Sequence, residues 1–136
     1  MITVKRKIQF ERSARGRGRI SLSKENSPPV ERGRVPRVAR LMALAIRFER
    51  LLRTGEISNV MELARLGHIT QPRVSQILNL TLLAPDIQEA LLFLPRVTAG
   101  KAPIHEKLLR PISAETDWQI QWKMWLALQC EVRCDN

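Results

Sequence analysis

Residues 59–80 read NVMELARLGHITQPRVSQILNL, and the reading of this stretch decides the fold. Asn59 is a natural N-cap, and Glu62 three positions later completes a capping box for a helix over Val60–Leu66. Gly67, His68 and Ile69 make a tight turn. Thr70 then caps a helix over Gln71–Leu80, where Pro72 is tolerated because the first turn has no use for its missing N–H. Two helices joined by a turn of about three or four residues form a helix-turn-helix.

The spacing supports this beyond composition. Ala64 is small where the helices cross, and Ile69 is an apolar plug in the angle between them. Val74 and Ile77 fall on the buried side of the second helix. The opposite face carries Gln71, Arg73, Gln76 and Asn79, with Ser75 at its margin and Thr70 and Pro72 at its N-terminal end. Arginine pairs with guanine and glutamine or asparagine with adenine, so these seven positions are the candidate base contacts. Gln71–Asn79 holds no acidic residue, as a helix facing phosphates requires. The alternative is a purely structural helical hairpin.

ELARLGHITQPRVSQILNLTLLAPDIQEALL, residues 62–92, resembles the helix-turn-helix region of ParB-type partition proteins. From RVPRVARLMALAIRFERLL onward the chain also resembles small helix-turn-helix proteins encoded beside recombinases in bacterial mobile elements. Two departures stand out. The turn glycine of the usual motif falls where this chain has His68, and Gly67 comes one position early. The nucleotide-binding N-terminal domain of partition proteins has no counterpart. The resemblance therefore implies DNA binding, and neither CTP hydrolysis nor a sliding clamp.

Upstream, Val38, Leu41, Ala45, Phe48 and Leu52 follow helical spacing after Pro36, with Leu44 and Leu51 widening the stripe. Gly55 ends this helix as its left-handed C′ residue. Arg40, Arg47 and Arg50 lie on its other side. The 136 residues carry 23 basic and 13 acidic side chains, a net +10. Residues 1–53 hold 15 basic and 4 acidic groups, so the whole surplus sits in the first part of the chain. That asymmetry reads as a basic arm on a near-neutral domain, a pattern of nucleic-acid binders, against a solvated tail that only aids solubility. Within the arm, Arg15, Arg17 and Arg19 alternate with glycines in a weak likeness to an AT-hook core, and Arg32, Arg34 and Arg37 follow. With Arg40 and Arg47 these are the candidate backbone or minor-groove contacts. Met1–Phe10 offers a short edge strand (2–10), and Ser21–Val35 reads as linker.

Downstream, Asp86 caps a helix to Leu94 with Glu89 as its box partner. A short helix over Ile104–Leu109 is stopped by Arg110-Pro111, and Ser113 caps a last helix over Ala114–Cys130. Trp118, Trp122 and Trp125 form one stripe on it, read as core in preference to an interface. Cys130 and Cys134, with His68 and His105, do not make a zinc pattern. No phosphate loop, nucleophile elbow or paired-carboxylate cluster appears.

The sequence thus predicts an all-α helix-turn-helix bundle of about five to six helices with a basic, partly disordered N-terminal arm. The expected divisions are arm and linker 1–35, helical domain 36–130 and tail 131–136. The expected function is sequence-specific binding of double-stranded DNA through residues 59–80, in a bacterial mobile element or prophage, as a regulator or recombination accessory factor. The expected location is cytoplasmic, on the nucleoid, with a recombinase or a second copy of the chain as candidate protein partner. No enzyme activity, cofactor, metal, membrane or small-molecule substrate is expected. The rival is an adaptor that docks on a recombinase through residues 114–130, with only non-specific DNA affinity.

Overall fold

The computed structural model describes residues 2–3, 8–12, 18–22 and 32–134. The chain divides into two units, Met1–Glu31 and Arg32–Asn136. In the first, β1 (Ile8–Arg12) pairs antiparallel with β2 (Gly18–Leu22), opposing Phe10 to Ile20 and Arg12 to Gly18. Of the strand expected over 2–10, Ile8–Phe10 begin β1, which runs on to Arg12, whereas Ile2 and Thr3 lie outside it and residues 4–7 fall outside the described residues. Ser21-Leu22 belong to β2 instead of to a linker. Two-residue periodicity shows a strand but not its partner.

The second unit is all-α. Its helices are α1 (Arg37–Thr54), α2 (Val60–Leu66), α3 (Gln71–Leu78), α4 (Pro85–Leu92), α5 (Glu106–Ala114) and α6 (Trp118–Cys134). A 3-10 turn over Asn79–Leu82 tightens the end of α3, so the helix expected to reach Leu80 stops two residues sooner. The boundary between units falls before Arg32 and not after Val35, because Arg34 and Val97 exchange both backbone hydrogen bonds, at 3.0 and 2.9 Å. Gly33 makes this possible. Its φ of 108° suits glycine, and a Cβ there would stand 2.9 Å from the Val97 carbonyl oxygen.

The core is aliphatic. Val38, Met42, Ala45 and Phe48 of α1 meet Val74 and Ile77 of α3, Leu80 and Leu83 beyond it, and Ile87 and Leu91 of α4. Leu109 and Ile112 of α5 and Trp125 and Leu128 of α6 close the other side. Gly55 takes φ 77° after Thr54, ending α1 as its sequence predicts. Asn59 caps α2, accepting from the Glu62 N–H at 2.8 Å. The Glu62 carboxylate closes back on Ser58, one residue earlier than the expected box, accepting from its N–H (3.0 Å) and hydroxyl (2.7 Å). The hydroxyl bond above all, then the N–H, holds the Glu62 carboxyl below its usual range.

Four expectations for the C-terminal part need correction. Asp86 does not cap α4: Ala84 is the N-cap, Pro85 opens the helix, and the last turn ends at Leu92. Pro111 does not stop α5, which continues through it to Ala114. Proline removes a single N–H, and the apolar positions Leu109 and Ile112 on either side of it are both buried. Ser113 therefore lies inside α5, its hydroxyl donating to the Arg110 carbonyl at 3.0 Å, and Asp117 accepts from the Gln119 N–H at 2.8 Å at the start of α6. Finally, α6 continues to Cys134, four residues into the expected tail.

The tryptophan stripe also divides. Trp125 is buried at 1% exposure, whereas Trp118 and Trp122 are 58% and 40% exposed. The cause is Gln121, which is fully buried. Its Oε1 accepts from the Ala84 N–H at 2.7 Å, and its Nε2 donates to the carbonyls of Glu115 (2.7 Å) and Leu82 (3.1 Å). This polar clamp turns the helix so that Gln121, Trp125 and Leu128 face inward, leaving Trp118, Trp122 and Leu126 on the rim.

Candidate nucleic-acid interface

The helix-turn-helix closes through short backbone bonds. The Ile69 N–H donates to the Ala64 carbonyl at 3.1 Å, which places the half-buried Ile69 in the angle between α2 and α3. Ala64, Val74 and Ile77 are buried as their spacing predicts. His68 takes φ 51°, supplying the left-handed turn residue at the motif's glycine position, while Gly67 stays helical at φ −81°. Histidine is among the side chains that enter this region at lower cost.

On α3, Thr70, Gln71, Pro72, Ser75 and Asn79 are exposed, and Arg73 and Gln76 are half-buried. Thr70 holds the N-cap position in extended conformation, but its side chain makes no capping bond; its carbonyl accepts from the N–H groups of Arg73 and Val74. Ser75 turns back on its own helix, its hydroxyl donating to the Gln71 carbonyl at 3.3 Å. Arg73 is already engaged. Its Nη1 donates to Gln76 Oε1 at 3.0 Å and to Glu106 Oε2 at 3.3 Å.

Glu106 opens α5 and meets two arginines. Arg110, one turn on, donates Nε to Oε1 at 2.9 Å and Nη2 to Oε2 at 3.1 Å. The Arg110 bonds chiefly, with a smaller part from Arg73 and against the effect of burial, hold the Glu106 carboxyl below its usual range. Side-chain exposure is 12% at Glu106, 27% at Arg73 and 52% at Arg110.

The segment before α5 extends this surface into a run of adjoining grooves. Arg34, Arg37, Arg40, Lys101 and His105 line one of them. Arg37 and His105 continue into a second, which also holds Arg73, Glu106 and Lys107. Glu106 then borders a third, with Arg110, Gln76 and Asn79. Glu106 is the one acidic side chain lining the three, and it is shared between two guanidinium groups.

The structure thus brings Arg37 into a groove shared with Arg73 of α3, and Arg34 and Arg40 into the groove adjoining it. Arg34 is held there by its Nη2, which donates to the Gly100 carbonyl at 2.6 Å. Arg47 is exposed farther along α1 and lines none of these grooves, nor does the exposed Arg32. Arg19 lies in β2 of the other unit, and Arg15 and Arg17 fall outside the described residues. Lys101, His105, Lys107 and Arg110 are additions that sequence reasoning missed. The Glu106–Arg110 spacing of four signals an ion pair on a helix, but that pair's approach to α3 depends on how the 95–105 segment folds.

Among the described residues no group of three or more His, Cys, Asp or Glu gathers where a metal would bind, and no helix is long and apolar enough to cross a membrane. No family model, characterised protein or solved structure matches the chain.

Proposed function

We propose that this chain is a sequence-specific binder of double-stranded DNA, with α3 entering the major groove. The observation that carries the reading is the exposed, acid-free face of α3 flanked by a basic surface from three separate segments: Arg34–Arg40, Lys101–Lys107 and Arg110. In this reading Gln71, Arg73, Gln76 and Asn79 meet base edges with Ser75 at the margin, and Thr70 and Pro72 approach at the N-terminal end of α3. Arg34, Arg37, Arg40, Lys101 and Lys107 hold phosphates and set the register. Release of counterions from those phosphates gives affinity on any duplex, and the base contacts give selection. The likeness of residues 62–92 to partition-protein helix-turn-helices, and of the longer run to recombinase-associated proteins, favours a regulator or recombination accessory factor of a bacterial mobile element.

Selection from random duplex DNA tests this. The parent should enrich one site, and Gln76→Ala should lose roughly 1–3 kcal/mol of discrimination there while binding non-specific duplex nearly as well. Absence of any enriched site overturns the proposal.

One observation favours the adaptor reading. Trp118, Trp122 and Leu126 lie side by side on α6 with 58%, 40% and 44% exposure, a large apolar rim for docking on a protein such as a recombinase. In that case Trp122→Ala would abolish co-sedimentation with the recombinase and leave DNA affinity unchanged.

A further inference from the structure

We infer that Glu106 is a positioning residue that sets the guanidinium of Arg73 for base selection, an inference that rests on the DNA-binding reading above. The argument begins with the donor inventory of arginine. A guanidinium offers five N–H donors in a rigid fork. On Arg73 the two protons of Nη1 are taken, one by Gln76 Oε1 and one by Glu106 Oε2. Nε and Nη2 make no hydrogen bond within the described residues, and no buried side-chain nitrogen or oxygen there lacks a partner, so both reach solvent. These two atoms form one straight edge of the fork. Two parallel N–H donors on one edge are the arrangement that pairs with O6 and N7 of guanine.

Glu106 can hold Arg73 in place because it is itself held. Arg110 grips both of its oxygens, and its side chain is only 12% exposed. Arg110 thus fixes Glu106, Glu106 fixes Arg73, and Gln76 closes the chain on α3. A long side chain ordered in the free protein does not lose that rotamer freedom again on binding, so more of the contact energy appears as discrimination. The carboxylate does not repel the duplex strongly, since two guanidinium groups surround it and leave the cluster with a net positive charge.

The experiment uses the full chain, the site it enriches and duplexes carrying each single base-pair change in that site. Arg73→Ala identifies the base pair that Arg73 reads, as the position where discrimination collapses. Glu106→Gln should lose about tenfold in discrimination at that same pair, with other pairs and non-specific affinity nearly unchanged. Combined with Arg73→Ala it should add nothing. Arg110→Ala, which leaves the Arg73–Glu106 pair in place, should give a smaller loss at the same position. These base-specific readouts separate positioning from a general folding defect, which would lower affinity for all duplexes together. Unchanged discrimination in Glu106→Gln overturns the inference. A uniform rise in affinity for every duplex also overturns it, because Glu106 would then only mask positive charge. In both cases the parent still selects its site, so the proposed function stands. If the parent selects no site, that function and the inference fall together.

Discussion

Gln121 offers the sharpest test of how the helical unit is held together. Its amide joins the start of α4, the end of the 3-10 turn and the loop before α6, through bonds of 2.7, 3.1 and 2.7 Å. Gln121→Leu keeps the volume and removes all three. It leaves the Ala84 N–H without its partner inside the protein, and the carbonyls of Leu82 and Glu115 without theirs in partly buried positions. A buried backbone group stripped of its partner costs about 1–3 kcal/mol, and a partly buried one less. The apolar burial gained by leucine offsets part of this, so the net loss should be about 2–4 kcal/mol. For a unit of this size each kcal/mol corresponds to roughly 4–8 °C, so the melting temperature should fall by roughly 10–30 °C. Thermal unfolding followed by far-ultraviolet circular dichroism measures it, with Gln119→Leu on the exposed side of α6 as the control, expected within about 0.5 kcal/mol of the parent. A Gln121→Leu protein that melts with that control would refute the clamp as the determinant of how α6 is rotated.

The tryptophans should differ in the same assay: Trp125→Ala leaves an enclosed cavity and should cost about 3–5 kcal/mol, whereas water fills the space left by Trp122→Ala and its cost should stay near 1 kcal/mol. At the turn, His68→Val forces a β-branched residue into the left-handed region and should lose about 1–3 kcal/mol in chemical denaturation, while His68→Gly should remain within about 1 kcal/mol of the parent. The depressed Glu106 carboxyl sets a pH dependence: its contribution is complete above its ordinary value of 4.5 and is lost as pH falls through its lower folded value, so the stability gap between the parent and Glu106→Gln should narrow on acidification. A gap that widens toward low pH would contradict the ion-pair geometry.

The local structure of this chain is legible in its sequence to the extent that short-range chemistry decides it. Asn59, Gly55, Ala64, Val74 and Ile77 each act within a turn or one helix crossing, and each sits where its residue type and spacing direct. Legibility ends where a polar group is satisfied by a distant segment. Hydrophobic periodicity places three tryptophans in the core of α6, but the amide at 121 finds its partners on segments as far as 39 residues away in sequence and rotates the helix accordingly. Pro111 misleads for a related reason, since burial on both sides of it outweighs one missing hydrogen bond. The candidate site shows the same split. The polar face of α3 follows from its own sequence, whereas the junction of Arg73 with Glu106, 33 residues apart, depends on tertiary placement of α5.

That the chain holds three tryptophans, all on α6, and no tyrosine makes this helix its own optical probe. Intrinsic emission excited at long ultraviolet wavelengths comes from α6 alone, with one indole shielded and two near solvent. During denaturation, fluorescence therefore follows the docking of the last helix, while circular dichroism at 222 nm follows all six. Superimposable curves would show that α6 and the helix-turn-helix unfold as one cooperative unit; an earlier fluorescence transition would show α6 peeling away first.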